Sequence, residues 1–147
     1  MLRSSPNEKA MLRPDATIER LHQRQAEFLP GRYGLVVTRM AEGELDAEVA
    51  LQPWMLAPNG YLHAASVVLL ADTAAGYASI AHLPDGAKNF TTIELKSNFL
   101  GSARDGTIRT ECRAEHLGRT THVWSSVVFA ADGRRIALFR CTQLILW

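Results

Sequence analysis

Cysteine is scarce in this chain, and neither sign of charge dominates. The two thiols among 147 residues, Cys112 and Cys141, fall in separate strand-like runs. They make neither a disulfide framework nor a metal-ligand spacing, so a reduced cytoplasmic setting is the expectation. Lys and Arg number 16 against 15 Asp and Glu, a net charge of +1. Such a balance gives no electrostatic case for nucleic acid or for a membrane surface. There is no Gly-x-Ser-x-Gly elbow, no phosphate-binding glycine loop and no cluster of metal ligands. His22, His82, His116 and His122 are scattered. Neither a cofactor nor a metal is expected. Residues 1–10 carry Arg3, Glu8 and Lys9 among polar neighbours, without the apolar core of a signal peptide. No internal repeat or low-complexity tract is visible.

What remains is ordinary globular composition, with 47% apolar and 21% charged residues. The length suits one domain with one solid core. Residues 1–13 read as a loose tail and 14–147 as a single domain. A helix is predicted over 16–28, where Ile18, Leu21 and Phe28 recur at roughly helical spacing and Pro30-Gly31 ends it. Two strands, 34–40 and 44–51, flank the hairpin signal Ala41-Glu42-Gly43. A loop with two prolines covers 53–61. The dominant feature follows: an 18-residue helix over 64–81 whose one charged side chain is Asp72. A helix apolar all round belongs inside a protein. Asp72, with Ser66, Thr73, Gly76 and Ser79, argues against a membrane span, because an Asp at a bilayer centre is costly. Four strands are then predicted at 91–99, 107–115, 121–130 and 135–146, with turns at Asp105-Gly106, Leu117-Gly118 and Asp132-Gly133. In the first of these, strict alternation puts Ile93, Leu95 and Phe99 opposite Thr92, Glu94, Lys96 and Asn98. The last is apolar on both faces, which implies a cover on both, the second supplied by an oligomer. An antiparallel sheet wrapped around one central helix, with a helix before it, satisfies all these signals.

Here the chain resembles a known family. The run Asn59-Gly60-Tyr61-Leu62-His63-Ala64-Ala65, with Asp72 in Leu70-Ala71-Asp72-Thr73-Ala74, is similar to the loop and central helix of hotdog-fold acyl-CoA thioesterases of the phenylacetate-degradation type. The runs from Thr92 to Leu100 and from Leu117 to Thr121 are similar too. The resemblance covers residues 34–146, and the nine-residue step from His63 to Asp72 is its specific part. It implies an α+β hotdog fold and hydrolysis of an acyl-CoA thioester to a free acid and coenzyme A, with no cofactor. It implies a homodimer with shared sites, the helix start of one subunit facing the acid of the other, or a tetramer of such dimers. Asp72 is then nucleophile or general base. Thr91 and Thr92 fall where some relatives place a water-positioning hydroxyl. The chain departs from the family at His63-Ala64-Ala65, where His-Gly-Gly is commoner. Both alanines keep their N–H groups, but each adds a Cβ where glycine allows close approach.

Each residue also has a plainer reading. Asp72 is either bonded to a nearby hydroxyl, as buried charges usually are, or a poorly solvated and therefore reactive carboxylate. His63 either caps the helix or orients the substrate. The first free N–H groups of a helix point at anything negative before them, which makes the Ala64 N–H the oxyanion donor. Asn59 is a side-chain donor or simply a turn residue before Gly60. Arg104 and Arg119 are contacts for a coenzyme A phosphate or solvated surface arginines. Nine residues separate His63 and Asp72 by ~13 Å on opposite helix faces, so one helix cannot bring both to one carbonyl. Two other functions remain open: a hotdog hydratase or dehydratase, and a non-catalytic acyl-CoA-binding or regulatory protein. The first needs a second acid-base group near Asp72, and the second leaves Asp72 without a task.

Overall fold

The computed structural model describes residues 11–147; of the tail expected over 1–13, residues 1–10 lie outside them. At the last residue of that stretch, the Arg13 N–H donates to the Ala81 carbonyl at 2.8 Å. The first helix, α1, covers Ile18–Gln25, and the Thr17 hydroxyl caps it by accepting from the Arg20 N–H at 3.2 Å. The sequence predicts a helix running on to residue 28. Instead the chain turns after Gln25 and starts a short helix, α2, over Leu29–Arg32. Pro30 does not end a helix here. It sits in the first turn of α2, where a missing N–H costs nothing.

Six strands follow: β1 Val36–Ala41, β2 Glu44–Ala50, β3 Asn89–Phe99, β4 Thr107–Leu117, β5 Thr121–Phe129 and β6 Arg135–Leu146, with α3, Ala64–Ala81, between β2 and β3. They form one antiparallel sheet in the order β1-β2-β4-β5-β6-β3. The two strands joined by α3 lie in opposite halves, so the helix crosses the concave face and becomes the core. This is the α+β arrangement expected from the sequence.

Alanine makes that crossing close. Leu70, Ala71, Ala74, Ala75 and Ala78 are fully buried against Leu45, Ala47, Val49, Ile108, Cys112, Trp124 and Val128. Gly76 gives the tightest approach: a Cβ there would lie 2.9 Å from Cζ of Phe90. By length and composition α3 could cross a membrane, but 56% of it is buried inside this fold.

Polar groups in the core are mostly paired, as burial demands. The Trp124 indole N–H donates to Ser79 Oγ at 2.8 Å. His82 lies between the Gly43 N–H at 2.9 Å and the Ala78 carbonyl at 2.7 Å. His122 is fully buried with Nδ1 3.3 Å from Ser79 Oγ, and its Nε2 has no partner among the described residues. Burial, then the nearby His82 and His116, push the His122 imidazolium down to about 4. An unfolded histidine takes its proton near 6.5. The unfolded chain therefore binds more protons between those values, and His122's contribution is complete above pH ~6.5 and lost as pH falls towards ~4, up to ~3 kcal/mol. Urea midpoints at pH 7 and pH 5 should differ accordingly. His122→Phe should flatten the dependence, leaving a residue from His82, whose imidazolium burial also pushes down.

β3 departs from strict alternation. A bulge between Thr92 and Glu94 takes Ile93 out of register. Pairing with β6 then places Phe90, Thr92, Leu95, Ser97 and Phe99 on the helix side, opposite Ile145, Gln143, Cys141, Phe139 and Ala137. Thr91, Glu94, Lys96 and Asn98 face outward. One bulge thus puts Thr92 and Leu95 on the same face, where period two had separated them. Bonded among the described residues to β6 alone, β3 is an edge strand of 11 residues, and Ile93, Leu95, Phe99 and Leu100 are 43–56% exposed along it.

Candidate active site

The loop before α3 is held from three sides. The Met55 carbonyl accepts from the His63 N–H at 3.2 Å and from Ser66 Oγ at 2.8 Å. Ser102, in the β3–β4 loop, accepts the Leu62 N–H at 3.0 Å. The Asn59 carboxamide oxygen accepts the Tyr61 N–H at 3.2 Å, and Gly60 adopts φ +84, which favours glycine. Asn59 thus spends its oxygen on the turn, and its amide donor remains.

This anchoring sets the first turn of α3. His63 is the N-cap, with Nδ1 accepting the Ala65 N–H at 2.9 Å. The Ser66 N–H returns to the His63 carbonyl at 2.9 Å. The Ala64 N–H, the first of the helix, takes no acceptor among the described residues. It is therefore a free donor at the positive end of an 18-residue helix,. A neutral His63 with Nδ1 so engaged carries its proton on Nε2, leaving a second donor beside the same opening.

Asp72 lies two and a half turns along. It is half-buried, and its Oδ1 has no partner among the described residues. Burial raises its pKa above the ordinary carboxylate range. No hydroxyl among the described residues satisfies this oxygen, so the plainer reading of a hydrogen-bonded helical Asp is not what the fold builds there.

The two threonines separate cleanly. Thr91 is exposed and faces outward beside Leu144, whereas Thr92 faces the helix and donates to Gln143 Oε1 at 2.8 Å. Arg104 lies over the Tyr61 ring at 5.0 Å, beside the helix start. Arg119 lies over Trp147 at 4.1 Å, and the Trp147 ring lies near Gly86, just past the other end of α3, where an added Cβ would meet it at 3.8 Å. The two arginines of one chain therefore flank opposite ends of a helix ~27 Å long. Within one chain the structure does not bring together His63 and Asp72, or Arg104 and Arg119. Sequence reasoning missed Met55 and Ser102, which hold the loop, and Gln143. Met55 and Ser102 reach the helix start through contacts set by chain folding, and a lone Gln in an apolar strand was the one signal for Gln143. No group of three or more His, Cys, Asp or Glu that could hold a metal occurs among the described residues.

Similarity to known proteins follows the same outline. The profile of the Thioesterase superfamily matches residues 59–137, a span that contains the helix start, Asp72 and β3. The proofreading thioesterase EntH of Klebsiella pneumoniae is 29% identical over 132 residues, 90% of this chain and 96% of that one. The crystal structure of a variant of thioesterase PA1618 from Pseudomonas aeruginosa superposes with a TM-score of 0.87 at 27% identity, covering 92% of this chain and 98% of the other. A hypothetical thioesterase of Streptococcus pneumoniae, crystallised with coenzyme A, has the same fold, with a TM-score of 0.69 at 20% identity over 76% of this chain and 84% of that one.

Proposed function

Because the chain belongs to the Thioesterase superfamily, we propose that the thioester it hydrolyses is an acyl-CoA, cut to a free acid and coenzyme A at sites shared between two subunits. The observation that carries this reading is the unpartnered Asp72 Oδ1 in the wall of the central helix. A half-buried carboxylate with a raised pKa and no bonding partner is unstable as structure and useful as a base or nucleophile,. Coenzyme A as the leaving group is supported by the bound coenzyme in the Streptococcus pneumoniae relative.

The reaction needs a donor for the carbonyl oxygen and a group acting on its carbon. The Ala64 N–H, with the helix dipole behind it, suits the first task. His63 Nε2 and the Asn59 amide lie in the same loop as supporting donors. Asp72 suits the second, taking a proton from water as it attacks. Collapse of the tetrahedral intermediate breaks the C–S bond, and the proton held by Asp72 passes to the leaving sulfur. The acid and the thiol are the products, and Asp72 is regenerated as carboxylate.

Spacing supports the dimer. With ~13 Å and half a turn between His63 and Asp72, the acid must act beside the helix start of a second subunit. The apolar edge of β3 supports the same reading, because long exposed edge strands are normally covered. An antiparallel pair also brings Arg104 of one subunit to the end where its partner presents Arg119, two cations for the coenzyme A phosphates. Free buried thiols at Cys112 and Cys141 suit a cytoplasmic home,.

Acetyl-, hexanoyl- and benzoyl-coenzyme A, assayed by release of free thiol, test this directly. Thiol release from at least one, rising in proportion to enzyme, is the expected result. No thiol release from any of the esters overturns the reading.

A further inference from the structure

Gln143 lies fully buried on β6, in the apolar layer between sheet and helix. A primary amide there costs free energy that a leucine or methionine would not. It is held on both sides: Nε2 donates to Cys141 Sγ at 3.4 Å, and Oε1 accepts the Thr92 hydroxyl at 2.8 Å.

The geometry of β3 and α3 places Thr92 abreast of Asp72. The Phe90 ring sits against Gly76. Because β3 follows α3 through a turn and runs back along it, Thr92 is one strand repeat from Phe90 towards the helix start, ~6.6 Å on the same face. Asp72 is one helical turn from Gly76 in that direction, ~6 Å along the same face. Cys141, the other partner of Gln143, lies within the field of Asp72: burial first, then the Asp72 charge, push its thiol up to about 12.

We propose that Gln143 is a positioning residue for hydrolysis, acting through Thr92 on the attacking water. A hydroxyl has one proton, and Thr92 gives it to Gln143. Only its lone pairs are then left on the side of Asp72, so Thr92 must accept there. A water there gives one hydrogen to Asp72 and the other to Thr92, which leaves an oxygen lone pair for the carbonyl carbon. The proton Asp72 removes goes on to the leaving sulfur, and the one held by Thr92 stays on the new carboxyl group until it ionises. Without Gln143, the Thr92 hydroxyl turns freely and donates to Asp72 instead, displacing the water from its line of attack. This inference rests on Asp72 acting as general base on water.

The test uses the full-length enzyme and whichever of acetyl-, hexanoyl- and benzoyl-coenzyme A it cleaves fastest. Gln143→Met keeps the volume and removes the acceptor; Thr92→Val removes the hydroxyl, and Thr92→Ser keeps it. Gln143→Met and Thr92→Val should each lower kcat ~10- to 100-fold with KM within ~3-fold, the pattern of a lost transition-state interaction. Thr92→Ser should stay within ~3-fold of wild type. The double variant should be no slower than the slower single, because the two act as one unit. Wild-type kcat in a folded Gln143→Met protein, or effects that multiply in the double variant, overturns the proposal. If Gln143→Met does not fold, Thr92→Val against Thr92→Ser decides alone: equal kcat overturns it, and loss only in the valine variant supports it. Asp72→Asn separates the two levels. Full turnover there fails the Asp72 reading itself. An inactive Asp72→Asn beside a fully active Thr92→Val fails only the role of Gln143 and Thr92.

Discussion

Asparagine in place of Asp72 should cut turnover ~10²-fold or more, the scale of losing a general base. The substitution keeps the shape and the half-buried position and removes only the charge. Stability should move the other way. Burial holds the folded-state pKa of Asp72 above its ordinary value. A raised carboxylate pKa means the ionised form is less stable in the folded chain than in the unfolded one, so the penalty is present at pH 7 and relieved as pH falls through the raised value. Asn carries no such penalty, and its melting temperature at pH 7 should equal or exceed that of the native chain. In the native enzyme the acid limb of kcat should report the same group: activity falls with pH through a value above the usual carboxylate range. Thiol-release kinetics and thermal unfolding on the two proteins check both halves. Turnover near the native level in Asp72→Asn removes this residue from the chemistry.

Mixing two inactive chains should restore activity. Asp72→Asn disables the acid, and a bulky change at the helix start, His63→Trp, disables the other half of the site. In a two-fold dimer built from both, one site inherits both defects and the other inherits neither. Random pairing of equal amounts makes about half the dimers mixed, so about a quarter of native sites return. The parents alone should stay at background. The readout is thiol release after co-refolding or subunit exchange, with size-exclusion chromatography confirming dimers. Mixed dimers with no recovery would place His63 and Asp72 in separate tasks, because the ~13 Å and half-turn between them bar a common carbonyl within one chain.

The central helix was legible to the residue, from Ala64 to Ala81, because it is apolar on every face and stops where His82, Leu83 and Pro84 begin. The hairpins were legible for a similar reason: Gly43, Gly106 and Gly133 all take positive φ at turns that the sequence marks. The failures have specific causes. In sequence Pro30 marks a helix stop, yet it also fits the first turn of a new helix, and only the packing of that segment chooses. Periodicity makes Ile93 one more step of an alternating strand, yet it is the extra residue of a bulge. A bulge is chosen by cross-strand pairing, which local periodicity does not encode.

Of the candidate site, the sequence alone determined the free N–H at the helix start and the acid nine residues on, because both follow from helix geometry along one continuous segment. It determined that the two cannot meet within a chain, because rise and rotation per residue are constants of the α-helix. Only the tertiary structure turned Thr92 rather than Thr91 towards the helix, left the Asp72 Oδ1 without a partner among the described residues, and joined Thr92 to Gln143, 51 residues away. Those are outcomes of register, burial and side-chain reach across strands distant in sequence, and no local pattern of residues carries them.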